Sequence, residues 1–280
     1  MQKKTDLLEE IQFLDNLHNL ATVYESISTM KMQQIRKSII SRRLYVNNLM
    51  DIFRSLQFEK TEADFELVEQ KDLKPLANVV ITANAKFHGD ILRRIFDYFI
   101  KQYDGKGDLF VIGKIGREYM KEYSDKIKFE EYDISDINFT VNDLKPILFR
   151  LLKYRKIHVY YALFKSIVDQ ITTQTDITDV EKLTKEELEM SQKNQHYEYL
   201  YEPSAQEISS FIHNNVTAMS LLQTLSETHL ARLASRMNAM ESLLGKINTD
   251  LKMLKQREHR VKRSIQDSKQ LDRLAGMAMW

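Results

Sequence analysis

The sequence predicts an α/β fold with long helices: an antiparallel coiled coil of N- and C-terminal helices around a central open α/β domain. Three observations predict it. First, helix breakers are confined. Of seven glycines and three prolines, the first proline is Pro75 and the first glycine Gly89, and after Pro203 only Gly245 and Gly276 remain. Both ends of the chain therefore run long without punctuation. Second, the last segment carries apolar residues in an unbroken 3-4 alternation: Leu230, Leu233, Met237, Met240, Leu244, Ile247, Leu251 and Leu254. That spacing marks a coiled-coil seam rather than a broad globular face. Third, the middle alternates apolar, β-branched runs with helix-period runs, the pattern of a Rossmann-like sheet with right-handed crossovers.

The N-terminal helix occupies residues 1–74 in this reading. Met32, Ile35, Ile39, Val46, Leu49, Phe53 and Leu56 keep a 3-4 spacing, with Arg42 the polar intruder. Upstream, Leu7, Ile11, Leu14, Leu17, Leu20, Tyr24 and Ile27 continue it less regularly. At 1.5 Å per residue, helices of roughly 55 and 70 residues reach on the order of 80–100 Å, further than a compact body of this mass. They are expected to pair with each other, antiparallel, because a domain separates them in the chain.

The central α/β domain is expected over 75–180. "NVVITAN" from Asn78 reads as a buried strand, "HGDILRRIFDYFIKQY" from His88 as a helix and "DLFVIG" from Asp108 as a second strand. "REYMKEY" is a short helix, "KIKFEEYDI" a third strand, and "VNDLKPILFRLLKY" a helix with Pro146 near its start. "KIHVYYALFKSIVDQITTQTDI" is rich in β-branched and aromatic residues and reads as one long strand. Residues 181–203 are a charged, apolar-poor connection. The C-terminal helix takes 204–280, with Ser204 and Glu207 spaced as a capping box behind Pro203.

Composition narrows the function. The net charge of +1 provides no global field for nucleic acid. The absence of cysteine excludes disulfides, zinc–thiolate sites, iron–sulfur ligation and cysteine nucleophiles, and it fits an intracellular protein. No run reaches the roughly 18 apolar residues of a membrane span, and acids interrupt the N-terminus too early for a signal peptide. The seven histidines include no i, i+4 pair, so packing or surface roles are expected, with no metal and no cofactor. No nucleophile motif is present. "IGKIGR" (Ile112–Arg117) stands where a phosphate loop would, but it lacks both the G-x-G-x-x-G and the Gly-Lys-Ser/Thr patterns. Its plain reading is a tight strand-to-helix turn that needs permissive backbone. Lys252, Lys255, Arg257, Arg260, Lys262 and Arg263, opposed only by Glu258, form either a solvated helix face or a surface for an acidic partner. Beyond Leu254 the seam positions hold Glu258, Val261, Ile265 and Ser268, and the chain ends in "LAGMAMW" with its only tryptophan. An apolar tip of this kind calls for a sheath.

Several motifs then point one way. "YLYEPSAQEI" (Tyr199–Ile208) and "ASRMNAME" (Ala234–Glu241) resemble the entry to, and the signature of, the C-terminal helix in gamma subunits of F-type ATP synthases. "MKM" (Met30–Met32) resembles that family's N-terminal helix, "NVVIT" and "DLFVIGKIGREY" its first strands, and "KIHVYYALFKSIVDQ" its later strand. The sequence departs from the family at "ANAKFHGD" (Ala83–Asp90), which keeps only Gly89 of the usual glycines. It departs again at "VKRSIQD" (Val261–Asp267), which lacks the usual Arg-Gln pair. The resemblance is to a divergent member.

The resemblance implies a non-catalytic central-stalk rotor shaft. It would couple nucleotide turnover in a ring of alpha and beta subunits to rotation, with an epsilon-like subunit and optionally a membrane rotor ring at its foot. It implies a place in the cytoplasm, peripheral to the cytoplasmic membrane. The partner-contact residues expected from it are Met30, Lys31, Met32, Arg236, Met237, Asn238, Met240, Lys262, Arg263 and Trp280. Two alternatives stand beside it. One is a gamma-like shaft of a specialised, mollicute-type F-like ATPase, motility-related and not used for ATP synthesis. The other, of a different class, is a coiled-coil scaffold with the α/β domain as a binding module. A nucleotide-using enzyme on the α/β domain is a third class.

Overall fold

A computed structural model describes residues 2–58, 73–123, 127–136, 139–178 and 205–278. The elements in chain order are α1 (Gln2–Phe58), β1 (Lys74–Ile81), α2 (Ile91–Gln102), β2 (Asp108–Ile112), α3 (Lys114–Tyr123), β3 (Phe129–Tyr132), α4 (Val141–Leu151), β4 (Tyr154–Phe164), β5 (Gln170–Asp176) and α5 (Ala205–Ala278). The two terminal helices have 57 and 74 residues, long runs as the missing helix breakers predict, and residues 59–72 of the expected N-terminal helix lie outside the described residues. The chain divides into two compact units, residues 1–30 with 236–280 and residues 31–235. The expected connection 181–203 and the cap residue Ser204 lie outside the described residues.

In the first unit the outer parts of α1 and α5 are packed together. On α5, Met240, Ile247 and Leu251 are buried and Met237, Leu244 and Leu254 half-buried, the seam that the 3-4 spacing predicts. On α1 the sheltered positions are 7, 11, 14, 17, 18, 21, 24, 25, 27 and 28, a stripe at helical spacing that takes in the expected Leu7, Ile11, Leu14, Leu17, Tyr24 and Ile27. This corrects one seam position. Leu20 is 54% exposed, and Ala21, at 2%, takes its place. Ser28 is likewise buried, its hydroxyl donating to the Tyr24 carbonyl at 2.7 Å. Small side chains at 21 and 28 leave room for a neighbouring helix to approach, and at the first of them the sheltered stripe passes through Ala21 rather than through the larger Leu20 beside it. Exposure rises beyond Leu254: Val261 is half-buried, and Ile265, Leu271, Leu274 and Met277 are exposed.

The second unit is built on a five-stranded sheet of order β3-β2-β1-β4-β5. β1 lies at its centre, parallel to β2 and β4, and β3 is parallel to β2. Pro75 is tolerated because it stands at the start of β1, before the fully paired stretch. The run expected as one long strand is two. β4 turns back into β5, antiparallel, with Phe164 opposite Gln170 and His158 opposite Asp176. The turn needs neither glycine nor proline because polar side chains build it. The Asp169 amide donates to Ser166 Oγ at 3.0 Å, and the Gln170 side chain donates to the carbonyls of Ser166 and Ile167.

Alternation along the strands sorts the core into two layers. Ala77, Val79, Ile81, Phe110, Ile112, Ile157 and Val159 face α4 through Leu144, Ile147, Leu148 and Leu151, and they also meet Leu221, Leu222 and Leu225 of α5. Val80, Leu109, Val111, Tyr160 and Ala162 face α2 and α3 through Ile91, Ile95, Phe96, Phe99, Ile115 and Met120. Fully burying an aliphatic or phenyl side chain of this kind contributes roughly 1.5–3 kcal/mol. Thr140 caps α4: its amide and hydroxyl both donate to the Asp143 carboxylate, at 2.7 and 2.8 Å. That hydrogen bonding holds the Asp143 carboxyl below its ordinary pKa. α4 continues through Pro146, at the cost of one intrahelical bond.

Candidate functional site

The carboxyl end of a doubly wound sheet, where the crossovers reverse direction, is where such folds take ligands. Here β1 is flanked by β2 on one side and β4 on the other, so the reversal falls at the end of β1, next to Thr82. α5 occupies that place. Its Leu221, Leu222 and Leu225 pack on one face of the sheet and its Ala231 on the other. The helix therefore passes the strand ends, and residues 224–235 are buried around the whole circumference. The polar residues of this stretch answer partly to the helix itself. Thr224, Ser226 and Thr228 donate their hydroxyls to the carbonyls of Leu221, Leu222 and Thr224.

Arg232 is the charged centre of this stretch. It is 3% exposed, and a buried guanidinium needs both a counter-ion and hydrogen-bond acceptors. Its Nη1 donates to the Thr82 carbonyl at 2.8 Å and to Asp136 Oδ1 at 2.6 Å. The other carboxylate oxygen of Asp136 accepts from the amides of Asn84 and Ala85 at 2.7 and 2.8 Å. The Asn84 side chain donates in turn to Asp133 and to the Ile134 carbonyl. The loop after β1, the loop after β3 and α5 thus meet at one bridge. The 3-4 spacing leaves Arg232 between the seam residues Leu230 and Leu233 and gives no sign of this partner, because Asp136 is 96 residues away in the chain.

Two buried histidines lie in the same region. His88 and His229 are 5% and 4% exposed. His229 stacks obliquely near Phe139, with ring centroids 6.0 Å apart, and its Nδ1 has no partner among the described residues. Burial first, and the Arg232 charge second, push its pKa down to about 3, so the ring is neutral at physiological pH. No cluster of three or more histidine, aspartate or glutamate side chains suited to a metal ion occurs among the described residues.

The "IGKIGR" turn is closed to phosphate. A phosphate loop works through free backbone N–H groups. Here Gly113 donates to the Tyr132 carbonyl at 3.0 Å and Lys114 to Asn84 Oδ1 at 3.0 Å. Ile115 donates to the Ala83 carbonyl at 2.9 Å and Gly116 to Thr82 Oγ1 at 3.0 Å. All four amides are spent inside the chain. The permissive backbone expected of this turn is found at Gly113, with φ +100°.

The residues expected to contact partners fall into three groups. Met30, Lys262 and Arg263 are exposed, and Lys262 pairs with Glu258 one turn earlier at 2.6 Å. Lys31, Arg236, Met237 and Asn238 are half-buried. Arg236 lies over the Tyr24 ring at 5.6 Å, and Met237 accepts from the Thr29 hydroxyl at 3.8 Å. Met32 and Met240 are buried within the chain itself. Trp280 lies outside the described residues.

A family model described as ATP synthase matches residues 4–264. The chain is 23% identical to the ATP synthase gamma chain of Buchnera aphidicola subsp. Melaphis rhois and 22% identical to that of Protochlamydia amoebophila, with 86% of each chain covered in both cases. Among solved structures, it is similar to a chain of the Euglena gracilis mitochondrial ATP synthase in rotational state 3. The TM-score is 0.67 at 16% identity, over 99% of this chain and 94% of that one. A chain of the rotor of the same enzyme in rotational state 1 gives a TM-score of 0.62, also at 16% identity, over 94% and 99%. No helix among the described residues is long and apolar enough to cross a membrane. The matched span takes in both terminal helices and the sheet between them, and on that ground the chain belongs to the ATP synthase gamma-chain family.

Proposed function

We propose that the chain is the central-stalk rotor shaft of an F-type ATPase. It is a non-catalytic subunit that couples nucleotide turnover in a surrounding ring of alpha and beta subunits to rotation. The observation that carries this is the length of uninterrupted α5, 74 residues. Its residues 224–235 are buried in the α/β domain all round, and the part beyond them has one sheltered stripe and otherwise faces solvent. A helix held rigidly at one end and bare at the other is what a shaft requires. The bare portion would stand inside the ring.

Partner contacts on this reading come from the exposed and half-buried residues Met30, Lys31, Arg236, Met237, Asn238, Lys262 and Arg263. The basic face from Lys252 to Arg263 would meet acidic groups of the ring. Met32 and Met240 would support that surface from within, and Trp280 would belong to the sheathed tip. The division of the chain follows the same logic: 1–73 and 204–280 for the shaft helices, 74–180 for the foot domain and 181–203 for the connection, the expected boundary at 74/75 moving by one residue because Lys74 opens β1. The foot would dock an epsilon-like subunit and a membrane rotor ring. The complex would then be peripheral to the cytoplasmic membrane and serve proton transport.

Affinity purification of the tagged chain from its own cells, followed by mass spectrometry, tests the reading. Recovery of alpha and beta ATPase subunits in a fixed ratio to the chain supports it. Recovery of the chain alone as a folded homodimer would instead support the scaffold alternative. Recovery with the ring but without any membrane rotor would favour a specialised motor.

A further inference from the structure

We propose that Arg232 is the positioning residue that locks the shaft helix to the foot domain, its guanidinium serving as a built-in ligand at the carboxyl-end crevice of the sheet. The proposal rests on the rotor reading above and adds the place where torque crosses from helix to sheet.

A twisting load on α5 can reach the sheet by two routes. Apolar contacts at Leu221, Leu222, Leu225 and Ala231 resist separation, but they are non-directional and resist rotation weakly. Hydrogen bonds to charged groups are directional and stronger. The Arg232 guanidinium provides two from one nitrogen, to the Thr82 carbonyl and the Asp136 carboxylate. These acceptors belong to different loops, one following the central strand β1 and the other following β3. Asp136 is itself immobilised by the amides of Asn84 and Ala85. Asn84 is held by Lys114, Asp133 and Ile134. A small rotation of α5 would therefore pull on the ends of β1 and β3 and on the start of α3 together.

Steric fit supports the same node. At Gly89, in the loop between β1 and α2, a β-carbon would stand 2.5 Å from the Ser235 hydroxyl and 3.0 Å from its carbonyl. Ser235 is less than one turn after Arg232, so α5 lies against the loop backbone just where the ionic bridge is made. The pair is secluded, with side-chain exposures of 4% for Arg232 and 16% for Asp136, and salt in the medium screens it little.

The test uses the whole complex and, separately, the full chain. The variants are Arg232→Met, which keeps bulk and removes charge, Arg232→Lys, which keeps charge, and Asp136→Asn. In the complex, with the ring immobilised and a bead on the foot domain, the angular spread of the bead at rest reports torsional stiffness. Arg232→Met and Asp136→Asn are expected to lower stiffness at least twofold, with Arg232→Lys in between and ATP hydrolysis by the ring within twofold of the parent. The double variant should be no softer than the softer single one, because both changes break one bridge. Unchanged stiffness, or independent addition of the two effects, would overturn the lock.

In the full chain, amide hydrogen exchange gives a reading that does not depend on rotation. Exchange at Thr82–Ala85 and at Ser226–Ser235 should rise together, at least tenfold in Arg232→Met and less in Arg232→Lys. A rise in one segment without the other overturns the proposal. If the parent complex does not turn at all, the rotor reading fails, and the lock is decided on exchange alone.

Discussion

Gly89 and Ser235, 146 positions apart, meet so closely that a β-carbon on the glycine would stand 2.5 Å from the serine hydroxyl. The glycine also has φ +62°, a conformation that L side chains adopt at a cost. It is the one glycine in the stretch Ala83–Asp90. Gly89→Ala is expected to destabilise the α/β unit by about 1–3 kcal/mol, through overpacking and backbone strain together. Thermal denaturation checks it. The variant Gly89→Ala/Ser235→Ala should recover only part of the loss, because the Ser235 carbonyl remains in the way.

His229 predicts an acid-sensitive fold. The unfolded chain takes up a proton on this ring below its ordinary value near 6.5, whereas the folded chain does not until about 3. Between those values the unfolded state binds more protons. Stability is therefore fully present above about pH 6.5 and falls as pH drops, approaching a slope of about 1.4 kcal/mol per pH unit. Arg232, His88 and Lys31 disfavour the imidazolium and Asp136 favours it. Denaturant melts of His229→Leu and parent between pH 7 and 4 test this. The substitution should flatten the parent's loss over that range, and parallel curves would contradict the assignment.

The seam register on α1 predicts effects of very different size at adjacent residues. Ala21→Leu places a large side chain at a buried position and should cost about 1–3 kcal/mol. Leu20→Ala removes an exposed one and should stay within about 0.5 kcal/mol. Equal effects at the two sites would mean that the sheltered stripe runs elsewhere.

Asp143 accepts from both the amide and the hydroxyl of Thr140. Asp143→Ala is expected to cost about 1 kcal/mol through loss of the α4 cap, measured as a shift of the denaturant midpoint with the slope unchanged.

Much of this architecture is legible in the amino-acid order. The confinement of glycine and proline foretells two long helices, and the 3-4 run from Leu230 to Leu254 foretells which face of α5 is sheltered. β1, β2 and the step into α3 follow from short β-branched runs punctuated by glycine. The β4–β5 turn does not, because Lys165–Asp169 contains no glycine or proline and the reversal depends on hydrogen bonds from Ser166, Asp169 and Gln170. Ala21 and Ser28 escape a search for large apolar residues because their smallness is what suits them to the seam. Arg232 escapes for a different reason. Periodicity identifies helices with one buried face, whereas residues 224–235 are buried on every side, and there Thr224, Glu227, His229 and Arg232 look like a solvated stripe. Family motifs foretold the kind of protein; the residues that hold its shaft to its foot emerge only from the fold.

Rotation of the assembled complex tests the central claim most directly. With the ring immobilised and a bead fixed to the foot domain, added ATP should drive sustained turning in one direction, stopping when ATP is removed. A complex that hydrolyses ATP while the bead stays in place would contradict the account of this chain as a rotor shaft.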